Sequence, residues 1–227
     1  MKRKSSESPK QRLFGQFAAV AKALAHPHRL ALLEQLAQGE RSVELLADRV
    51  HLSTANASQH LQQMRQSGLV SARRDGKFVF YRLADEAVLD LLASIRRVAE
   101  RNLAEVDRVV RGYFDDRDSM EAISRAELVQ RMKLGLVTLL DVRPADEFAL
   151  GHLPGALNLQ LGELKRRLAK LDKSKEIVAY CRGPYCVLSY EAVALLRARG
   201  FKVRRLEDGL PEWRAAGLPV DMTARGQ

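Results

Sequence analysis

The sequence predicts two domains in series: a mainly α-helical unit with one β-hairpin, then an α/β unit on a parallel sheet. Three observations lead there. Asp75-Gly76 joins two alternating runs just after a pair of short helical patterns, and Asp-Gly between such runs is the strongest short-range hairpin signal. From about residue 120 onward, strand and helix patterns alternate, the mark of parallel strands covered on both faces. Between the two regions, Asp115-Asp116-Arg117-Asp118-Ser119 reads as a polar linker. The boundaries are a flexible basic arm over 1–10, a first domain over 11–112, a linker over 113–119, a second domain over 120–220 and a tail over 221–227.

Composition narrows the function classes. The 227 residues suffice for two ordinary cores, and 46 % apolar with 29 % charged residues is ordinary for a water-exposed protein. No apolar run reaches the length of a membrane-spanning helix, and the N-terminal residues lack a hydrophobic signal core. Two cysteines on one loop do not make a disulfide framework, so the expected compartment is reducing and cytoplasmic. The formal charge is +10, and residues 1–112 carry 19 Lys and Arg against 12 Asp and Glu. Excess positive charge in one domain points to a polyanionic partner there.

In chain order, Leu13, Phe14, Phe17, Ala18, Ala21 and Leu24 share a helical stripe over 11–25. Pro27 suits the first turn of a second helix, about 28–38, which stops near Gly39. A short helix spans 42–50. Ser53 then caps another that runs to about Gln66 and is closed by Gly68. Two short helices joined by a tight turn are a helix-turn-helix signature. The hairpin over 69–83 holds Arg73, Arg74 and Lys77 at its tip and reads as a basic wing. A single long helix is expected over 85–110, with Val88, Leu91, Leu92, Ile95, Ala99, Val106 and Val110 on its apolar face.

This first domain resembles the ArsR family of winged-helix repressors. The residues that carry the resemblance are Leu24-Ala25-His26-Pro27-His28-Arg29-Leu30, Ser58-Gln59-His60-Leu61 with Gly68-Leu69-Val70, and Arg73-Arg74-Asp75-Gly76-Lys77. The resemblance implies a winged helix-turn-helix fold and a homodimer paired through helices at both ends of the domain. Operator DNA is the implied partner. At 100° per residue, Ala57, Leu61 and Met64 of the 54–66 helix face the core, and Ser58, Gln59 and Gln62 face away. With Thr54 and Asn56 at the exposed N-terminal end, these are the candidate base-reading residues. Arg73, Arg74 and Lys77 are candidates for phosphate or minor-groove contacts. Metal sensing is common in this family, but Glu44 to Asp48 has no cysteine, and Asp85, Glu86 and Asp90 lack a nearby histidine. His26 and His28 read as a helix-start feature, so no metal site and no cofactor are expected.

In the second domain the expected order is a helix at 124–133, a strand at 137–142, a helix at 162–171, a strand at 176–181, a helix at 187–199, a strand at 201–206 and a helix at 209–216. Both cysteines lie in Cys181-Arg182-Gly183-Pro184-Tyr185-Cys186, between the 176–181 strand and the helix after it. A thiol on a tight loop that opens a helix sits under backbone N–H groups and the positive end of the helix dipole. Both lower its pKa, and Arg182 adds positive charge.

Asp141-Val142-Arg143-Pro144 through Phe148, Gly151-His152-Leu153-Pro154-Gly155-Ala156, the Cys181 loop and Gly209-Leu210-Pro211-Glu212-Trp213 form a series that resembles the rhodanese family. That resemblance implies that Cys181 carries a persulfide taken from a donor such as thiosulfate or polysulfide. It also makes Asp141, Arg143, Glu147 and His152 framework positions. The loop departs from the family pattern at Pro184 and Cys186, where glycine and a polar residue are usual. Pro184 removes one N–H from the anion cradle, which predicts weak turnover. A thiol at 186 is placed to attack a persulfide on Cys181 and close a bridge. The expected function is a dimeric DNA-binding repressor that senses reactive sulfur through Cys181. The rival reading is a sulfurtransferase that also regulates its own operon.

Overall fold

Ser8 is the first residue described. Its Oγ accepts from Gln11 N at 3.2 Å, and its own N–H donates to Gln11 Oε1 at 2.8 Å, a reciprocal cap that starts α1 (Pro9–Leu24). Pro9 and Lys10 are therefore helical rather than part of the basic arm. The computed structural model describes residues 8–115, 122–168 and 171–223; most of the arm, most of the linker and residues 224–227 lie outside that range. The chain packs as two compact units, Met1–Val88 and Leu89–Gln227.

In the first unit α1 is followed by α2 (Pro27–Ala37), β1 (Arg41–Ser42), α3 (Val43–Arg49) and α4 (Thr54–Gln66). Ser42 and Ser53 cap α3 and α4, their hydroxyls accepting from Leu45 N and Asn56 N. β2 (Val70–Asp75) and β3 (Phe78–Leu83) form the expected hairpin, whose turn needs Gly76 at φ +58°. The sheet is antiparallel in the order β1-β3-β2. β1 was not anticipated, because two residues are too few to show a period. Leu32, Leu33, Leu46, Leu61 and Met64 are completely buried between the helices, each side chain stabilising the unit by roughly 1.5–3 kcal/mol.

The expected single helix over 85–110 is two: α5 (Ala87–Asn102) and α6 (Ala104–Val110). Leu103 between them is extended, and Asn102 Nδ2 also donates to Val98 O. One π-helical turn, Arg111–Asp115, follows. The division into compact units falls inside α5, between Val88 and Leu89.

The second unit continues with α7 (Arg125–Lys133), β4 (Val137–Asp141), α8 (Ala145–Leu150), β5 (Leu157–Asn158), α9 (Leu161–Arg167), β6 (Glu176–Tyr180), α10 (Val187–Arg197), β7 (Val203–Arg205) and α11 (Leu210–Ala215). Its sheet is parallel, in the order β5-β4-β6-β7. Period-two alternation sorts the side chains of β6. Ile177, Ala179 and then Cys181 join one core with Leu164, Val193 and Leu196, while Val178 and Tyr180 join another with Leu128, Leu210 and Trp213. Two cores on opposite faces make the three-layer architecture that the alternating pattern implied. α8 and β5 were missed, being short and partly hidden in loop-like motifs. Asp221, read as tail, is tied to His152 by paired backbone hydrogen bonds of 2.9 Å, so ordered chain extends past 220.

Candidate functional site

The loop from β6 to α10 holds Cys181 and Cys186 as a disulfide, with Cα atoms 6.0 Å apart, within the span that such bridges take. Cys186 is the N-cap of α10, and its N–H donates to Gly183 O at 3.2 Å, closing a turn inside the loop. Both residues are buried, Cys181 at 1 % exposure and Cys186 at 8 %. Bridged and buried, neither sulfur is a nucleophile in this state. Reduction would free two thiols at the start of a helix of eleven residues, where the dipole favours thiolate.

Arg182, next to Cys181 in the chain, turns its guanidinium to Glu147. Its Nε and Nη2 donate to both carboxylate oxygens of Glu147 at 2.7–3.1 Å, and Glu147 is completely buried. A buried carboxylate needs a counter-charge, and Arg182 supplies it, so its own charge is largely cancelled. Glu147 is thus a direct anchor of the loop. Asp141 and Arg143 are both fully buried and form an ion pair, with Asp141 Oδ1 also accepting from Arg143 N at 2.9 Å. Arg143 Nη2 further donates to Gly151 O at 2.8 Å, pinning the turn before His152. His152 stacks on Phe148 at 3.6 Å between ring centroids, and its Nδ1 lies 2.9 Å from Phe148 O. These framework residues set the shape of the loops around the cysteine pair.

Sequence reasoning missed three supports of the loop. Tyr180, just before Cys181, accepts from Leu153 N at 3.0 Å through its hydroxyl, and burial pushes that phenol's pKa up. Gly209 lies so close beneath the loop that a Cβ there would land on the Arg182 carbonyl and Gly183 N. Tyr185 donates from its hydroxyl to Glu100 on α5, and Arg96 of α5 donates to Glu212 Oε1 at 2.8 Å. Glu212 Oε2 in turn accepts from Gly209 N at 3.0 Å. Gly209-Leu210-Pro211-Glu212-Trp213 was legible as a motif, but its contact with the loop needed the fold.

In the first unit Ala57, Leu61 and Met64 are completely buried. Thr54, Asn56, Gln59 and Gln62 are exposed and Ser58 is partly so, with Gln62 Nε2 at 3.5 Å from Ser58 Oγ. On the wing Arg73 is held by Glu40 and Asp75 and lies over the Phe80 ring at 4.6 Å; those carboxylates hold its pKa above the ordinary arginine value. Arg74 Nε donates to Gly76 O, and Lys77 lies over Phe78. Wing charge is therefore partly committed within the wing itself.

His26 caps α2, its Nδ1 accepting from His28 N at 3.2 Å, as a helix-start residue should. The fold adds a neighbour that spacing did not reveal: His60 of α4, whose ring centroid lies 4.6 Å from that of His26 and 5.9 Å from that of His28.

Comparison with known proteins follows the same division. The model described as "Bacterial regulatory protein, arsR family" matches residues 26–72, and that of the rhodanese-like domain matches residues 124–216. The chain is 47 % identical to the HTH-type transcriptional regulator Rv0324 of Mycobacterium tuberculosis (strain ATCC 25618 / H37Rv), over 93 % of each chain. It is 40 % identical to the biofilm growth-associated repressor of Agrobacterium fabrum, over 35 % of this chain and 68 % of that one. A sulfurtransferase of Allochromatium vinosum is 35 % identical over 37 % of this chain and 78 % of its own. Two domain models match in the order of the two folds, and one regulator aligns along nearly the whole length. The chain therefore belongs to the ArsR family of HTH-type transcriptional regulators, in the form that carries a rhodanese-like domain after its winged helix.

Proposed function

We propose that this regulator binds operator DNA as a homodimer and reads reactive sulfur through Cys181, with Cys186 as the resolving thiol. The Cys181–Cys186 bridge, inside a sulfurtransferase-like loop of a transcriptional regulator, carries the reading. In the reduced protein the Cys181 thiolate attacks the outer sulfur of a polysulfide or thiosulfate. The donor leaves as the shortened polysulfide or as sulfite, and Cys181 becomes a persulfide. The Cys186 thiolate then attacks Sγ of Cys181 and expels hydrosulfide. Two thiols are oxidised to a disulfide, the sulfane sulfur is reduced to sulfide, and a cellular dithiol resets the loop. Dimerisation is supported by apolar residues left exposed: Leu13, Phe14 and Phe17 on α1, and Ile95 and Val98 on α5.

Intact-mass measurement with operator titration tests the reading. Polysulfide should leave wild type with no free thiol and a changed operator affinity. Cys186→Ser should retain added sulfur as an open persulfide and respond poorly. If Cys181→Ser responds as fully as wild type, the sensing role is wrong. The sulfurtransferase reading, favoured by the Allochromatium relative, requires sustained sulfur transfer to cyanide, which a slow sensor would not show.

A further inference from the structure

We propose that His26, His28 and His60 form a binding site for a divalent transition-metal ion of the imidazole-preferring class, Zn2+ foremost, joining the start of α2 to α4. The ligand atoms of the three histidines all lie within 4.8 Å of one another, so small side-chain rotations bring them onto one ion. Three neutral imidazoles with no carboxylate or thiolate in the set suit Zn2+, Ni2+ or Cu2+ and disfavour Mg2+ or Ca2+. A tetrahedral ion would keep its fourth position for water.

The state of His60 supports the assignment. Its Nδ1 is buried and has no hydrogen-bond partner among the described residues, an unmet need that a coordinate bond would satisfy. Two features oppose the ion and define what binding must change. His26 Nδ1 accepts from His28 N, so ligation by either ring nitrogen gives up the α2 cap: Nε2 ligation puts the proton on Nδ1, and Nδ1 ligation occupies its lone pair. Arg29 brings positive charge, although its guanidinium is turned to Gln63 Oε1 and Lys22 O. Binding is thereby coupled to the first turn of α2 and to α4, where Gln59 and Gln62 flank the His60 turn.

The test is titration of the full-length, oxidised protein with Co2+ as the probe, followed by displacement with Zn2+. The Cys181–Cys186 bridge keeps the thiols out of play. Wild type should bind one equivalent per chain, with visible ligand-field bands and no sulfur charge-transfer band. His28 is exposed and caps nothing, so His28→Ala should leave the fold intact. It should weaken binding by well over the roughly tenfold lost with a mere outer-shell partner. His51→Asn is the control, because His51 sits at φ 55°, a conformation asparagine tolerates, and it should bind as wild type does. Absence of stoichiometric binding, or binding that His28→Ala leaves unchanged, overturns the proposal.

Discussion

Gly209 illustrates how one residue without a side chain shapes the sulfur loop. Its backbone is not in the left-handed region, so conformational freedom is not what requires glycine there. The requirement is space, since a Cβ would meet the Arg182 carbonyl and Gly183 N rather than a movable side-chain tip. Gly209→Ala should therefore displace the loop and destabilise the protein by about 1–3 kcal/mol, the usual cost of overpacking. A denaturant midpoint measures the loss. Faster reduction of the Cys181–Cys186 bridge by a small dithiol should accompany it, because Arg182 and Gly183 lie between the two cysteines. An unchanged midpoint and reduction rate would show that the loop has room to move.

Among the elements, α7, β6 and β7 are tied together by a ring of four charges. Glu127 on α7 pairs with Arg131 at 2.8 Å and Arg204 at 2.7 Å, and Glu176 on β6 pairs with the same two arginines at 2.8 and 2.7 Å. Hydrogen bonding from Arg204, with further contributions from Arg131, holds the Glu127 carboxyl below its ordinary 4.5. A carboxyl depressed in the folded state binds more protons when the chain unfolds. Its stabilisation is therefore present above 4.5 and is lost as pH falls through the folded value. Wild type should lose more stability than Glu127→Gln between about pH 6 and pH 3, as read by urea midpoints. Equal slopes would mean that solvent screens the ring to nothing.

At the scale of the molecule, a regulator with excess charge in its first half should bind nucleic acid with strong salt dependence. Gln59→Ala on the exposed face of α4 should cost about 1–3 kcal/mol and relax sequence preference, whereas Arg74→Ala should weaken all duplexes alike and reduce the salt slope. Arg73→Ala should change the salt slope less, because Glu40 and Asp75 already pair with that guanidinium. Operator titrations at several salt concentrations separate the three. Uniform loss from Gln59→Ala would remove α4 as the reading helix. Among the described residues no helix is long and apolar enough to cross a membrane.

How much of this was legible in the sequence follows from the range of the forces involved. The hairpin at Asp75-Gly76, the buried stripe Ala57-Leu61-Met64 and the parallel sheet come from local turn chemistry and from hydrophobic period, and a linear sequence displays both. The cysteine pair five residues apart was visible for the same reason. Pairings across long chain separations were not. Arg182 turns to Glu147, His60 joins His26 and His28, and Tyr185 reaches Glu100, each because packing places distant segments side by side. β1 and β5 depend on a neighbouring strand for their hydrogen bonds, so two residues became strand only once a partner was present. Sequence alone determined the hairpin, the buried face of α4, the parallel sheet and the loop that holds both cysteines. Tertiary structure decided which charges stay available and which are cancelled, since a buried ionised group such as Glu147 needs a partner brought to it through space.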